Sequence, residues 1–79
     1  MSGIHNLKPR KVVKAFERAG WINQGQKGSH VKLTSEASEY ILSIPVHKGK
    51  PIKRGLLLDQ IKKAGMTVEE FFRFYSGKS

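Results

Sequence analysis

Cysteine is absent from this chain of 79 residues, which excludes disulfide bonds and thiolate metal sites as sources of stability. No apolar run approaches the roughly 20 residues that cross a bilayer, and the N-terminus has no apolar signal core. We therefore expect a cytoplasmic protein that makes no membrane contact. A chain of this length supports one small core, so we predict a single domain over residues 1–79, with residues 1–7, including His5, as a loose lead-in.

Acidic residues are also scarce: six Asp and Glu stand against 15 Lys and Arg, giving a net charge of +9. Such an excess attracts polyanions, which favours a nucleic acid or an acidic protein as partner over a merely soluble cationic protein. Two-metal phosphodiester cleavage needs several converging carboxylates, and Asp59 is the only aspartate. The histidines lack the spacing of metal ligands. We therefore predict no metal site and no cofactor.

Two segments have apolar residues at helical spacing. These residues are Val12, Phe16 and Ala19 in the first segment, and Leu57, Ile61 and Ala64 in the second. Pro9 and Gly20 are typical start and stop residues for the first helix. The T-x-x-E pattern from Thr67 to Glu70 is a capping box, with Met66 and Phe71 placed as a hydrophobic staple, and predicts a third, short helix from Val68.

Three strands are predicted between the two long helices, over residues 21–24, 29–34 and 40–44, with residues 25–28 as the first connection. By the period of two, Val31 and Leu33 face opposite to His30 and Lys32, and Tyr40, Leu42 and Ile44 share one face. The predicted fold class is α+β, with the helices on one face of a three-stranded antiparallel sheet. His30 and Lys32 then lie on the open face.

The segment from Gly25 to His30 combines turn-forming glycines with a lysine, a hydroxyl and an imidazole. The 2′-hydroxyl of RNA can attack the adjacent phosphate when a base removes its proton and cations balance the charge, so His30 is the candidate catalytic residue. A lone histidine at a strand start is nevertheless more often structural, and Ser29 could orient His30 or cap the turn.

The segment from residue 46 to 55 carries several cations and no carboxylate. It precedes the second helix, whose N-terminal N–H groups favour an anion. His47 could protonate the leaving group, contact phosphate or cap the helix. The residues predicted to bind RNA or phosphate are Lys27, Gly28, Ser29, Lys32, His47, Lys48, Lys50, Lys53 and Arg54.

Several short motifs occur together in the chain. They are Ala19-Gly20-Trp21, Lys27-Gly28-Ser29-His30, Ile44-Pro45-Val46-His47, Lys53-Arg54-Gly55-Leu56-Leu57, Ala64-Gly65 and Glu69-Glu70-Phe71. In this order and spacing they resemble the HicA family of toxins from bacterial and archaeal toxin–antitoxin systems, over residues 8–72.

The resemblance implies a fold like that of the double-stranded RNA-binding domain (dsRBD) and an endoribonuclease, or mRNA interferase, that cuts mRNA and blocks translation. It implies that His30 is the catalytic histidine and that a HicB-like antitoxin covers the active site and carries the DNA-binding part. We therefore expect no sequence-specific DNA binding by this chain. Members of the family often have a further polar residue or histidine directly after G-S-H, whereas this chain has Val31.

Three hypotheses remain open from the sequence. The first is a metal-independent endoribonuclease toxin, and the second is a double-stranded RNA-binding module without catalysis. The second would use exposed cations, namely Lys11, Lys14, Lys48, Lys50, Lys53 and Arg54. The third is an adaptor that binds only protein, through the open sheet face and the aromatic C-terminal helix.

Overall fold

A three-stranded antiparallel sheet with helices on one face forms the framework of the computed structural model, which describes residues 7–77. The elements are α1 (Pro9–Arg18), β1 (Ile22–Lys27), β2 (His30–Ser35), β3 (Ser38–Pro45), α2 (Arg54–Lys63) and α3 (Val68–Tyr75). The strand order is β1-β2-β3, with antiparallel pairing throughout. The predicted α+β fold is confirmed. Within residues 7–77, no helix has the length and apolar character needed to cross a membrane.

The core lies between the helices and the covered face of the sheet. Its side chains from the strands are Val31, Leu33, Leu42 and Ile44, and those from the helices include Val12, Phe16, Leu57, Ile61 and Phe71. Burial of one such side chain contributes about 1.5 to 3 kcal/mol, so the alternation in β2 fixes which face meets the helices. His30 and Lys32 are exposed on the other face, as the sequence predicts.

Helix α3 is held against α1 by aromatic packing and begins at the predicted capping box. The rings of Phe16 and Phe71 lie 5.1 Å apart between centroids. The backbone N–H of Glu70 donates to Thr67 Oγ1 at 3.1 Å, and the N–H of Thr67 donates to Glu70 Oε1 at 2.9 Å. Met66 packs against the core, consistent with its place in the hydrophobic staple.

The predicted connection over residues 25–28 is wrong, because β1 continues to Lys27 and only two residues form the turn. The pairing with β2 shifts between Asn23 and Gln26, which marks a β-bulge. Gly25 lies inside the bulge at φ +103°, and its N–H donates to Asn23 Oδ1 at 2.7 Å. Gly25 therefore lets the strand bend and continue, where the sequence suggested that it ended the strand.

Two further residues differ from prediction. Tyr40 is 57% exposed instead of sharing the covered face with Leu42, because it lies within the register shift between the Leu33–Leu42 and Ser35–Ser38 pairs, where the alternation of faces is interrupted. Leu7, the last residue of the predicted lead-in, is buried, and its carbonyl accepts from the N–H of Ile52 at 3.1 Å. The other lead-in residues, 1–6, lie outside the described residues, and so does the predicted surface position of His5.

Candidate functional site

The two-residue turn between β1 and β2 places a lysine and a histidine side by side. Gly28 adopts φ +62°, a left-handed conformation that glycine reaches without steric cost. The amide of Gln26 donates from Nε2 to the Gly28 carbonyl at 3.0 Å and holds the turn. Lys27 and His30 are therefore direct cross-strand partners on the open face, and both side chains are exposed.

The opposite neighbour of His30 is Pro45 at the end of β3. The N–H of Val46 donates to the Ser29 carbonyl at 2.7 Å, so His30 and Pro45 form a pair that exchanges no hydrogen bonds between its own residues. Proline therefore ends the strand without losing a ladder bond. Two residues later His47 returns to His30, with ring centroids 6.4 Å apart and ring planes at 80°.

The two imidazoles lie in a cationic setting. Both rings are exposed, and within residues 7–77 neither takes part in a hydrogen bond or an ion pair. Lys32 lies two residues after His30 on the same face, with its Nζ 3.4 Å from Ser43 Oγ. Glu36 and Glu39 lie at the opposite end of the sheet. Among residues 7–77, the arrangement offers two free proton-transfer groups with nearby positive charge and no close competing carboxylate.

A groove of about 720 Å³ lies between the start of α1 and the segment after β3, and His47 is part of its lining. It is lined by Lys8, Pro9 and Arg10 on one side and by Val46, His47, Lys48, Gly49, Lys50 and Pro51 on the other. The lining therefore includes four exposed cations and no carboxylate. Such a groove is suited to an anionic ligand that also has apolar parts.

The family model of the HicA toxin of bacterial toxin–antitoxin systems matches residues 9–66. The chain belongs to the HicA toxin family. A comparison with curated proteins gives no match. Family membership makes the protein the toxin of a toxin–antitoxin system and implies an antitoxin partner. Both His30 and His47 fall inside the matched range.

The structure of this HicA chain brings most of the predicted site residues to one end of the molecule. Lys27, Gly28, Ser29 and His30 form the turn, Lys32 follows on the open face, and His47, Lys48 and Lys50 extend into the groove. Lys53 and Arg54 lie apart from the groove lining, at the N-cap and first residue of α2. Helix α2 has no side-chain cap and no acidic residue in its first turn, and Lys53 and Arg54 place two cations beside its N-terminal N–H groups.

Sequence reasoning missed Lys8 and Arg10. The helical pattern of α1 directed attention to Lys11 and Lys14, which lie further along the helix. The hydrogen bond between Ile52 and Leu7 brings the start of α1 beside residues 46–51 in this HicA fold. That contact joins residues far apart in the sequence, so no local pattern predicts it. The local indication was Leu7, an apolar residue that precedes Lys8 and is suited to burial. Within the described range, no group of three or more His, Asp and Glu side chains is arranged to hold a metal ion.

Proposed function

We propose that this HicA toxin is a metal-independent endoribonuclease that cleaves mRNA, inhibits translation and is neutralised by its antitoxin. The observation that carries the proposal is the pairing of His30 with His47, at 6.4 Å between ring centroids, on an exposed cationic surface. One imidazole can accept a proton while the other donates one, so the pair can serve both proton transfers of RNA cleavage.

The proposed reaction uses the 2′-hydroxyl of the substrate as nucleophile. Neutral His30 accepts the proton of the 2′-hydroxyl as O2′ attacks the adjacent phosphorus. The bond between phosphorus and O5′ breaks, and protonated His47 donates a proton to the departing O5′. The products are a 2′,3′-cyclic phosphate on one fragment and a 5′-hydroxyl on the other, and water then returns the two histidines to their starting protonation states.

Lys27 and Lys32 flank His30 and are assigned to the phosphate. Lys27 is the cross-strand partner of His30, and Lys32 lies on the same face of β2. Their ammonium groups stabilise the charge that develops on the non-bridging oxygens in the transition state. Gly28 has no Cβ, so the phosphate can approach the backbone of the turn, and Ser29 fixes the turn through its bond from Val46.

A HicB-like antitoxin neutralises the toxin in this proposal by covering the His30 and His47 surface. The surface is suitable for such control because both imidazoles are accessible from solvent and Lys27 and Lys32 attract acidic groups. A protein that places carboxylates over these cations would exclude RNA without altering the fold of the toxin.

The test is cleavage of a defined transcript by the purified protein in the presence of a chelator. We expect His30→Ala to lose about 10²- to 10⁴-fold in rate, the contribution of a positioned base, while RNA affinity is retained. The same RNA with 2′-deoxyribose should resist cleavage, and the chelator should leave the rate unchanged. Equal rates for the wild type and His30→Ala, or cleavage abolished by the chelator, would contradict the proposal.

A second candidate is a double-stranded RNA-binding module without catalysis. The basic face of α1 favours it, because a second groove of about 340 Å³ is lined by Arg10, Lys11, Lys14 and Arg18 beside Tyr75. Lys11 Nζ lies 4.8 Å from the centroid of the Tyr75 ring, which positions the ammonium at the helix surface. A pure binding module would leave transcripts intact and prefer duplex over single-stranded RNA.

A further inference from the structure

The groove is lined by His47 and not by His30, and this placement gives the RNA a direction. We infer that the groove binds the segment on the 3′ side of the cleaved bond, and this inference rests on the proposed ribonuclease function. His47 donates to O5′, which belongs to the nucleotide on the 3′ side. That nucleotide must therefore lie beside His47, which lines the groove.

The lining of the groove matches a short stretch of nucleic-acid strand. Its volume of about 720 Å³ lies within the range of about 300 to 1,000 Å³ of pockets that hold small organic ligands. Lys8 and Arg10 on one wall and Lys48 and Lys50 on the other supply cations for phosphates. The prolines and Val46 supply apolar surface for ribose and base.

The surface on the His30 side has fewer cations than the groove. The exposed strand β1, which lies beyond His30, contains one cation, Lys27, among its six residues, and the others are Ile22, Asn23, Gln24, Gly25 and Gln26. An RNA strand that extends in this direction meets mostly neutral groups. The 5′ side of the substrate is therefore held mainly at the phosphates next to the reacting bond, and the 3′ side along the groove.

The experiment uses oligonucleotides with one ribonucleotide among deoxynucleotides of mixed sequence, so that only one bond has the required 2′-hydroxyl. One substrate extends only to the 3′ side of that bond and the other extends only to the 5′ side. We expect the 3′-extended substrate to have the higher kcat/KM. We also expect K48Q/K50Q to lower its kcat/KM about tenfold, because each exposed cation contributes modestly, with little effect on the 5′-extended substrate.

K62Q/R73Q is the matched control, since it removes two exposed cations that do not line the groove. K8Q tests the other wall of the groove and should also lower kcat/KM on the 3′-extended substrate. Equal use of the two substrates, or the same loss from the control variant, would overturn the direction of binding while the ribonuclease function stands. If the wild type cleaves neither chimera nor a full ribonucleotide transcript, both proposals are wrong.

Discussion

At the scale of single residues, the position of His47 matters more than its place in the sequence suggests. It lies 17 positions after His30, yet Pro45 pairs with His30 and the chain turns so that the two rings meet edge to face. The family resemblance implies that His30 is catalytic, and this chain has Val31 where members of the family often have a second polar group. The structure supplies a second imidazole, His47, from the segment directly after β3 instead.

A leaving group that needs no proton distinguishes the roles of the two histidines. His47→Ala removes the proposed acid, so we expect a loss of about 10²- to 10⁴-fold in kcat/KM on ordinary RNA. A substrate with sulfur in place of O5′ has a thiolate leaving group that departs without protonation, so it should restore most of the rate of His47→Ala but not that of His30→Ala. The measurement is kcat/KM for both variants on both substrates. Equal losses of His47→Ala on the two substrates would assign the acid to another group.

Buried Gln60 is the second residue whose effect we can predict. Its side chain is 5% exposed, and Oε1 accepts from the N–H of Ser43 at 3.1 Å, which satisfies an outward N–H of edge strand β3. Gln60→Leu leaves that N–H buried without an acceptor, so we expect a loss of about 1 to 3 kcal/mol in the free energy of unfolding, measured by urea denaturation. Gln60→Glu keeps an acceptor and serves as the comparison. Equal stability of Gln60→Leu and the wild type would show that water replaces the amide.

At the scale of elements, the β1–β2 hairpin sets the geometry of the site. The Gly28 turn fixes Lys27 opposite His30, and the bond from Val46 to Ser29 fixes the end of β3 beside them. Helix α3 packs mainly against α1 and begins with its own capping box and two acidic residues in its first turn. Changes in the hairpin should therefore affect cleavage, and changes at the start of α3 should affect only stability.

Substitution of Gly28 tests the hairpin. No heavy atom lies within 4 Å of a Cβ built at this position, so the cost of a side chain comes from the backbone conformation at φ +62°. Gly28→Val should lower the free energy of unfolding by at least about 1 to 2 kcal/mol, and the displaced turn should reduce cleavage. Gly28→Asn tolerates this conformation and should retain most of the stability and activity. Equal losses of cleavage for Gly28→Val and Gly28→Asn would indicate that any side chain at this position obstructs RNA.

Substitution at the capping box should lower stability and leave cleavage unchanged. Thr67→Ala removes the acceptor for the N–H of Glu70 and should cost about 1 kcal/mol. For a domain of this size the melting temperature should fall by roughly 4 to 8 °C, while kcat/KM at low temperature stays unchanged. Thr67→Ser retains the hydroxyl and should melt like the wild type. A loss of cleavage in folded Thr67→Ala would connect α3 to the site.

These elements also show what the sequence can and cannot predict. The helices, the sheet and its open face follow from local periodicity, and the Thr67 cap follows from a motif confined to four residues. The bulge at Gly25 does not, because a glycine near a strand end fits a turn as well as an irregular strand. The groove could not be predicted, since its walls at Lys8 and Lys48 meet only through tertiary contacts.

At the scale of the whole molecule, the net charge of +9 is unevenly distributed. The turn, the groove and the exposed face of α1 carry cations, whereas four of the six carboxylates are Glu36 and Glu39 at the far end of the sheet and Glu69 and Glu70 at the start of α3. Asp59 is neutralised by Lys63 at 3.2 Å. RNA that approaches by long-range attraction therefore meets cations at the turn, along the groove and on α1.

The salt dependence of RNA binding measures how localised that attraction is. Each phosphate of single-stranded RNA that a cation neutralises contributes about 0.7 to the slope of log affinity against log salt concentration. On a His30→Ala background, which prevents cleavage, K48Q/K50Q should therefore reduce the slope by about 1.4 for a short single strand. K62Q/R73Q removes the same charge and should leave the slope nearly unchanged. The same reduction in both variants would mean that RNA responds only to the total charge, and that the groove makes no located phosphate contacts.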